Sequence, residues 1–222
     1  MRVSLLLIGL VTGLLLPANA FSQALEREAG PLPRFFPHRQ SYLELDVERR
    51  SHFALAYMVS SQEGVPPEDI EMWYEFDGER ISFDIDELGR IRGLPSLGAL
   101  QAGPAVWINQ PSGGMSLNMQ FEARLPGGPA YEARDLNLAL GQANHAVRRT
   151  AGVAALFAPN FKTLTFVFDG PAPDARAIFE DGSSSPVTVQ ENRVILRPRD
   201  RDMRHLVRVE FGANPVRILL DS

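Results

Sequence analysis

The sequence IEMWYEFDGERISFDI, residues 70–85, specifies a β-hairpin together with the register of its two strands. Asp77-Gly78 separates two alternating runs, and this dipeptide suits a two-residue type I′ turn because both central positions need positive φ. Counting outward from the turn places Tyr74 opposite Ile81. One face of the hairpin is then almost wholly apolar, and a shift of one residue would mix apolar with polar side chains. The pattern therefore predicts a hairpin with one buried face.

The opposite face of this hairpin carries a tryptophan among polar side chains. Trp73 shares that side with Glu71, Ser82 and Asp84. A tryptophan in such surroundings suits stacking on a sugar ring or on a cation. These four residues form the candidate ligand-binding set. The alternative is that another sheet or a helix covers this face and buries Trp73.

Period-two alternation predicts further strands on both sides of the hairpin. On the N-terminal side and in the middle of the chain they are residues 41–48, 52–59, 105–109 and 117–125. In the last of these, Glu122 is expected on the outer, polar face. Short apolar runs in the C-terminal part predict strands at 164–168, 175–180, 187–190, 194–196, 206–211 and 216–220.

One principal helix interrupts the strands. Asp135 is a plausible N-cap, and Leu136, Leu140, Ala143 and Val147 follow helical spacing and form one apolar stripe. Gly152 is a candidate end, with continuation through residues 154–157 as the alternative.

The expected fold class is mainly β with one principal helix. By analogy based on strand number and turn spacing, residues 41–130 suit an immunoglobulin-like or transthyretin-like β-sandwich domain. Residues 131–222 then form a smaller α+β lobe, or they complete one larger domain. Residues 21–40, which contain three prolines, are expected to form an extended leader.

The first twenty residues have the three parts of a secretory signal peptide. Arg2 precedes an apolar run over residues 3–16, and Ala18-Asn19-Ala20 matches an A-x-A cleavage site. The apolar run is shorter than the roughly 20 residues of a membrane span. We therefore expect cleavage after Ala20, a periplasmic or secreted product, and no membrane span after cleavage.

Composition narrows the chemistry that is available. The 222-residue chain has no cysteine, which excludes disulfides, thiolate metal sites and a cysteine nucleophile. Lys162 is its one lysine among 22 basic residues, a bias typical of a GC-rich bacterial source. The formal net charge is −5, so we expect no nucleic-acid partner.

No motif predicts a catalytic centre, a metal centre or a cofactor. The histidines His38, His52, His145 and His205 lack the spacing of a metal-binding pair, and neither G-x-S-x-G nor S-x-x-K occurs. Asp84, Asp86 and Glu87 resemble the start of a calcium loop, but Leu88 and Pro95 occupy positions where ligands are required. A looser calcium site at these three acids is left as an alternative to a solvated turn.

A basic segment stands out near the C-terminus. Its arginines are Arg193, Arg197, Arg199, Arg201, Arg204 and Arg208. They outnumber the two nearby acids Asp200 and Asp202 and form a candidate patch for an anion or for an acidic partner. The alternative is a solvated loop in which these arginines pair with neighbouring acids.

These observations favour an exported, non-enzymatic binding or envelope-accessory module. The expected partner is an envelope protein or polymer of unknown identity. The alternative is a secreted hydrolase whose site is assembled from residues distant in sequence, because a triad of that kind leaves no local motif.

Overall fold

The computed structural model describes residues 26–151 and 159–222 as a mainly β protein with four α-helices. The helices are α1 (Leu32–Phe35), α2 (Arg39–Leu43), α3 (Leu97–Ala102) and α4 (Ala133–Ala151). The strands are β1 (Arg27–Pro31), β2 (Phe53–Ser61), β3 (Met72–Phe76), β4 (Glu79–Ser82), β5 (Asp84–Ile85), β6 (Ile91–Arg92), β7 (Ala105–Ile108), β8 (Met115–Ala123), β9 (Ala130–Glu132), β10 (Thr163–Val167), β11 (Ala175–Phe179), β12 (Ser184–Pro186), β13 (Val189–Gln190), β14 (Arg193–Leu196), β15 (Leu206–Phe211) and β16 (Arg217–Asp221). The predicted signal peptide and the predicted helix end at Gly152 lie outside the described residues. No helix in the described ranges is both long and apolar enough to cross a membrane.

The strands form four antiparallel sheets. A six-stranded sheet has the order β13-β14-β10-β16-β8-β2, and two four-stranded sheets have the orders β12-β11-β15-β9 and β1-β7-β3-β4. Strands β5 and β6 form a separate pair. The six-stranded sheet combines β2 and β8 with four strands from the C-terminal half. The division of the chain into two lobes or one larger domain stays a prediction.

One contiguous apolar core joins these sheets. Phe166 of the six-stranded sheet contacts Tyr131 and Phe211 of a four-stranded sheet, with ring centroids 5.5 and 4.6 Å away. At the β2 end of the same sheet, Phe36 contacts both Tyr57 and Phe83, each at 5.1 Å. Burial raises the pKa of Tyr57, so its hydroxyl stays neutral and donates to the carbonyl of Pro37 at 2.7 Å.

The Asp77-Gly78 hairpin is confirmed in register. Strands β3 and β4 pair Trp73 with Ser82 and Tyr74 with Ile81, and Gly78 has a φ of +80°. The expected apolar face points to the core, because Tyr74 is buried together with Met72 and Phe83 beside it. Turn chemistry and side-chain alternation agree here, which is why local sequence was sufficient.

The segment before the first long strand differs from the expectation. The predicted strand at residues 41–48 is wrong: this stretch contains the end of α2 and a 3₁₀ turn at Val47–Arg50. Residues 27–35, described above as part of an extended leader, form β1 and α1, and both Leu32 and Phe36 are buried. Burial of Tyr42 and Leu45, with Val47 exposed, follows helical and turn geometry rather than period-two alternation.

The principal helix, α4, is confirmed, with a different start. It begins at Ala133, so Asp135 lies in the first turn, where a carboxylate favours the helix dipole, and is not the N-cap. The stripe residues Leu136, Leu140 and Ala143 are fully buried. The helix contacts β2, β8, β9 and β15, and therefore lies on the core side of the six-stranded sheet.

Asn144 connects α4 to the chain that precedes β10. Its Nδ2 donates to the carbonyl of Phe161 at 2.9 Å, and its Oδ1 accepts from the amide of Phe161 at 2.7 Å. Asn144→Ala leaves both buried backbone groups without a partner, so we expect a loss of about 2 kcal/mol in the free energy of unfolding. Urea unfolding measures this, with Asn118→Ala, an exposed asparagine on β8, as control. Equal effects of the two substitutions would contradict the assigned role.

Candidate functional site

A cavity lies in the six-stranded sheet where the end of β8 meets the start of β16. These two strands pair at one position, Leu219 opposite Glu122, whereas β2 and β8 pair along nine positions. The cavity measures about 360 Å³. Its lining comes from the β5–β6 turn, the end of β8 and the loop after it, β9, and the start of β16 with the loop before it. The lining residues are Asp86, Leu88, Arg90, Arg92, Glu122, Ala123, Leu125, Gly127, Tyr131, Pro215, Val216, Arg217 and Ile218. We call it the β8–β16 cavity.

Asp86 holds the turn that brings Arg90 to this cavity. Its Oδ1 accepts from the backbone amides of Leu88 at 3.1 Å and Arg90 at 2.8 Å. Its Oδ2 accepts from Arg92 Nη2 at 3.1 Å. Both carboxylate oxygens are thus engaged within the turn, which is what a short polar side chain does in an Asx-type turn.

Gly89 docks the same turn on β2. Its carbonyl accepts from the amide of Val59 at 2.7 Å, and its φ is +80°. A Cβ at this position would lie 2.1 Å from the carbonyl oxygen of Val59. Only glycine permits this approach, and the contact fixes Arg90 beside the outer face of β8.

The cavity wall contains a partly buried ion cluster. Arg90 donates to Glu122 through Nη1 at 2.7 Å and through Nη2 at 2.6 Å. Arg217 Nε lies 3.6 Å from the same carboxylate, and its Nη2 donates to Gln120 at 3.0 Å. The Glu122 side chain is only 9% exposed, which contradicts its predicted place on an outer, solvated face. The physical reason is that the Asp86–Arg90 turn covers this part of β8.

Charges in the β8–β16 cavity do not balance. Three guanidinium groups, those of Arg90, Arg92 and Arg217, face the two carboxylates of Asp86 and Glu122. Arg217 Nε is buried and has no hydrogen-bond partner among the described residues. One positive charge is therefore left over among the lining side chains, at a site where Arg90 and Arg217 are only about one-fifth exposed and charges interact more strongly than in bulk solvent.

Exposed aliphatic side chains also line the cavity. Leu88 and Val216 both belong to the lining and are 66% and 57% exposed. Tyr131 lines the cavity as well, and burial raises the pKa of its phenol. The site thus combines a surplus cation with exposed apolar surface.

Trp73, the centre of the candidate ligand set, is covered in the structure. Its ring stacks on Trp107 with centroids 5.5 Å apart, and the Arg80 guanidinium lies 3.9 Å from its centroid. Arg80 is itself paired with Glu26 at 3.0 Å. Trp73 is 8% exposed, so a sugar could stack on it only if Arg80 moved. Covering was anticipated as the alternative, although neighbouring side chains provide it, not another layer.

The other members of that set remain at the surface. Glu71, Ser82 and Asp84 are exposed, and Asp84 lies opposite Arg92 in the β5–β6 pair. Ligand binding by this set stays a prediction. Within residues 26–151 and 159–222, no group of three acidic or histidine side chains is placed to hold a metal ion.

The candidate arginine patch is spread over several elements. Arg193 begins β14 and Arg197 follows its last residue, whereas Arg199 donates to Asn137 Oδ1 on α4 at 3.1 Å. The described residues include every Asp and Glu of the sequence, and among them only Arg208 of the six forms an ion pair, with Glu210 at 2.6 Å. Pairing with Asp200 and Asp202 is therefore not observed, and the patch stays a prediction.

One histidine lies in a row of neighbouring polar side chains that the sequence did not indicate. His52 Nδ1 is 2.8 Å from Ser51 Oγ, and its Nε2 is 3.8 Å from Asp135 Oδ1. Gln142 donates to Ser51 Oγ at 3.0 Å. The adjacency of Ser51 and His52 was visible in the sequence, but only the packing of α4 brings Asp135 and Gln142 to them.

The remaining histidines have simpler surroundings. His145 Nε2 lies 3.0 Å from the Arg49 guanidinium, and His205 Nδ1 lies 3.1 Å from an exposed Glu180 carboxylate. His38 is exposed and has a positive φ of 62°.

No family model, curated protein or solved structure matches the chain. The protein is therefore classified by its own structure. It is a mainly β protein with a cavity in its six-stranded sheet that is lined by charged and aliphatic side chains. Functional assignment depends on that cavity and on the row of polar side chains around His52.

Proposed function

We propose that this protein is an exported, non-enzymatic binding module of the bacterial envelope, and that its ligand binds in the β8–β16 cavity. The observation that carries the proposal is the surplus guanidinium charge beside the exposed Leu88 and Val216. A cavity of 300–1,000 Å³ with apolar lining and a few convergent polar groups is the usual form of a ligand site. Ion pairs and hydrogen bonds already hold its polar groups in place, which suits binding without reorganisation.

The proposal includes a sandwich-like packing. The six-stranded sheet packs through Phe166 on the sheet that contains Phe211, which supports two layers around one core. The finer assignment of residues 41–130 to an immunoglobulin-like or transthyretin-like sandwich is retained as an analogy from strand number and turn spacing.

Binding in the cavity is tested by a pair of matched substitutions. Val216 lines the cavity and is 57% exposed, whereas Val189 on β13 is 43% exposed and lies outside the lining. Val216→Asp places a carboxylate in the lining, where it offsets the surplus charge and repels an anion. We expect the unaltered protein and Val189→Asp to be retained equally by immobilised bacterial envelope fractions, with Val216→Asp retained at least tenfold less. Absence of retention, or equal retention of all three proteins, would refute the proposal.

Export is tested separately from binding. When the whole sequence is expressed in a bacterium with a periplasm, we expect a mature product that begins at Phe21 and fractionates with periplasmic proteins. Small side chains are required on both sides of the A-x-A centre, so Ala20→Asp should block cleavage, whereas Ala24→Asp, four residues beyond the site, should not. N-terminal sequencing and intact mass measure the outcome. A cytoplasmic product with an intact N-terminus would contradict export.

A second candidate function, ester or amide hydrolysis, is supported by the Ser51–His52–Asp135 chain. In such a reaction the Ser51 Oγ proton passes to His52 Nδ1 while Oγ attacks the carbonyl carbon, and His52 then protonates the leaving group. A water molecule, deprotonated by His52, then attacks the acyl–Ser51 ester, which releases the acid and returns the proton to Ser51 Oγ. A cavity of about 300 Å³ lies beside these three side chains, and Gln142, which donates to Ser51, is part of its lining. The competing arrangement is structural: Ser51 Oγ has one proton and donates it to the carbonyl of Glu48 at 3.0 Å instead of to His52.

Hydrolysis is tested with a fluorophosphonate probe and p-nitrophenyl esters. If Ser51 is a nucleophile, Ser51→Ala abolishes labelling and turnover, and Ser112→Ala, an exposed serine in a turn, retains both. Absence of labelling of the unaltered protein, or labelling that persists in Ser51→Ala, excludes the hydrolase.

A further inference from the structure

We infer that the ligand of the β8–β16 cavity is a carboxylate carried on a single alkyl chain. This assignment rests on the proposed binding function of the same cavity and names the chemical class that its walls recognise. Charge, apolar contact and size of the cavity together select this class.

The charge step starts from Glu122, whose two oxygens are both engaged by Arg90. Arg217 consequently has a carboxylate 3.6 Å away but no ion pair of hydrogen-bond length. Its side chain is 19% exposed, so water screens its charge only in part. A single monoanion at the cavity restores neutrality among the five charged groups of the lining, whereas a cation would add to the imbalance.

The apolar step concerns the cavity beyond the guanidinium groups. Leu125, Pro215, Val216 and Ile218 have side chains without polar atoms, and with Leu88 they form the aliphatic part of the lining. Burying this surface against a ligand is favourable by roughly 25 cal/mol per Å² of apolar area. A ligand with hydroxyl groups along its whole length would place some of them against these aliphatic side chains, where each unpaired hydroxyl costs binding free energy. The body of the ligand is therefore an alkyl chain rather than a sugar.

The size step separates an alkyl carboxylate from a polypeptide. The cavity of about 360 Å³ lies near the lower end of the range for small-molecule pockets. A polypeptide that entered it would bring one amide donor and one carbonyl acceptor for each residue, and all of these groups would need partners. The aliphatic side chains of the lining supply no hydrogen-bond partner for these groups. An alkyl chain of moderate length meets this requirement because it has no polar atoms outside its headgroup.

Decanoate, decanol and decyltrimethylammonium are the probes, because they share one chain length and differ in headgroup charge. Isothermal titration of the mature protein, below the micelle concentration of each probe, is expected to show decanoate at least tenfold tighter than decanol and no binding of the cation. Decanoate affinity should fall as salt rises, since the surplus charge is partly exposed. Val216→Asp should weaken decanoate at least tenfold. Arg217→Met, which keeps most of the aliphatic stem, should abolish the preference for decanoate over decanol.

The control is Arg204→Met, an exposed arginine in the candidate patch and outside the cavity. It is expected to bind decanoate as the unaltered protein does, and a loss there would place the binding in the arginine patch and overturn the assignment. Equal affinity for decanoate and decanol also overturns it. The assignment is likewise overturned if a short apolar peptide with a free C-terminal carboxylate binds more tightly than decanoate does.

If decanoate does not bind while Val216→Asp still reduces retention by envelope fractions, the ligand class is wrong and the binding function stands. If both measurements fail, the proposed function fails as well.

Discussion

Glu122→Gln is expected to lower the free energy of unfolding by about 3–5 kcal/mol, the range for breaking a buried ion pair by removing one partner. Glutamine has nearly the shape of glutamate, so the loss comes from charge and not from a cavity. Arg90 would lose the acceptor of two hydrogen bonds of 2.7 and 2.6 Å, and Arg217 would lose its nearest carboxylate. Both cations would then remain next to each other in partly buried surroundings.

Chemical denaturation of the mature protein measures this effect. Glu79→Gln serves as the control, because Glu79 is exposed on β4 and its change should stay within about 0.5 kcal/mol. The double substitution Arg90→Met with Glu122→Gln should cost less than the sum of the two single changes, by at least about 1 kcal/mol, since residues in one ion cluster are coupled. Additive single effects would show that the cluster contributes little beyond packing.

The sequence predicted most reliably where the information was local. Asp77-Gly78 specifies a turn within four residues, and the flanking alternation agrees with it, so the hairpin and its buried face were both predicted. Residues 41–48 show how the same rule fails without a turn. Leu43, Leu45 and Val47 alternate as in a strand, but no turn signal specifies their pairing, and Tyr42 of α2 packs against Phe53 instead.

The candidate site was not predicted because its parts meet only through tertiary structure. Glu122 obeys the alternation of β8 and was therefore expected to face solvent. Whether an outward residue is solvated depends on what crosses that face, and here the turn that ends at Arg90 crosses it. The same limitation applies to Trp73, whose side was predicted but whose cover, Trp107 and Arg80, comes from neighbouring strands.

Gly89→Ala is the second change with a large expected effect, about 3 kcal/mol or more in the free energy of unfolding. A positive φ alone costs a residue with a Cβ roughly 1–2 kcal/mol. At Gly89 the added Cβ would also lie 2.1 Å from the backbone oxygen of Val59. Backbone cannot move aside as a flexible side chain does. The turn would have to leave β2, and the hydrogen bond from Val59 to Gly89 would break.

Gly182→Ala separates these two causes. Gly182 has the same φ of +80°, but a Cβ there would meet nothing within 4 Å. It should therefore show the conformational cost alone, about 1–2 kcal/mol. The difference between the two variants measures the docking of the turn on β2. Because that docking places Arg90 at Glu122, Gly89→Ala should also weaken ligand binding in the β8–β16 cavity, whereas Gly182→Ala should not. Equal stability losses in the two variants would mean that Gly89 is required only for its backbone conformation.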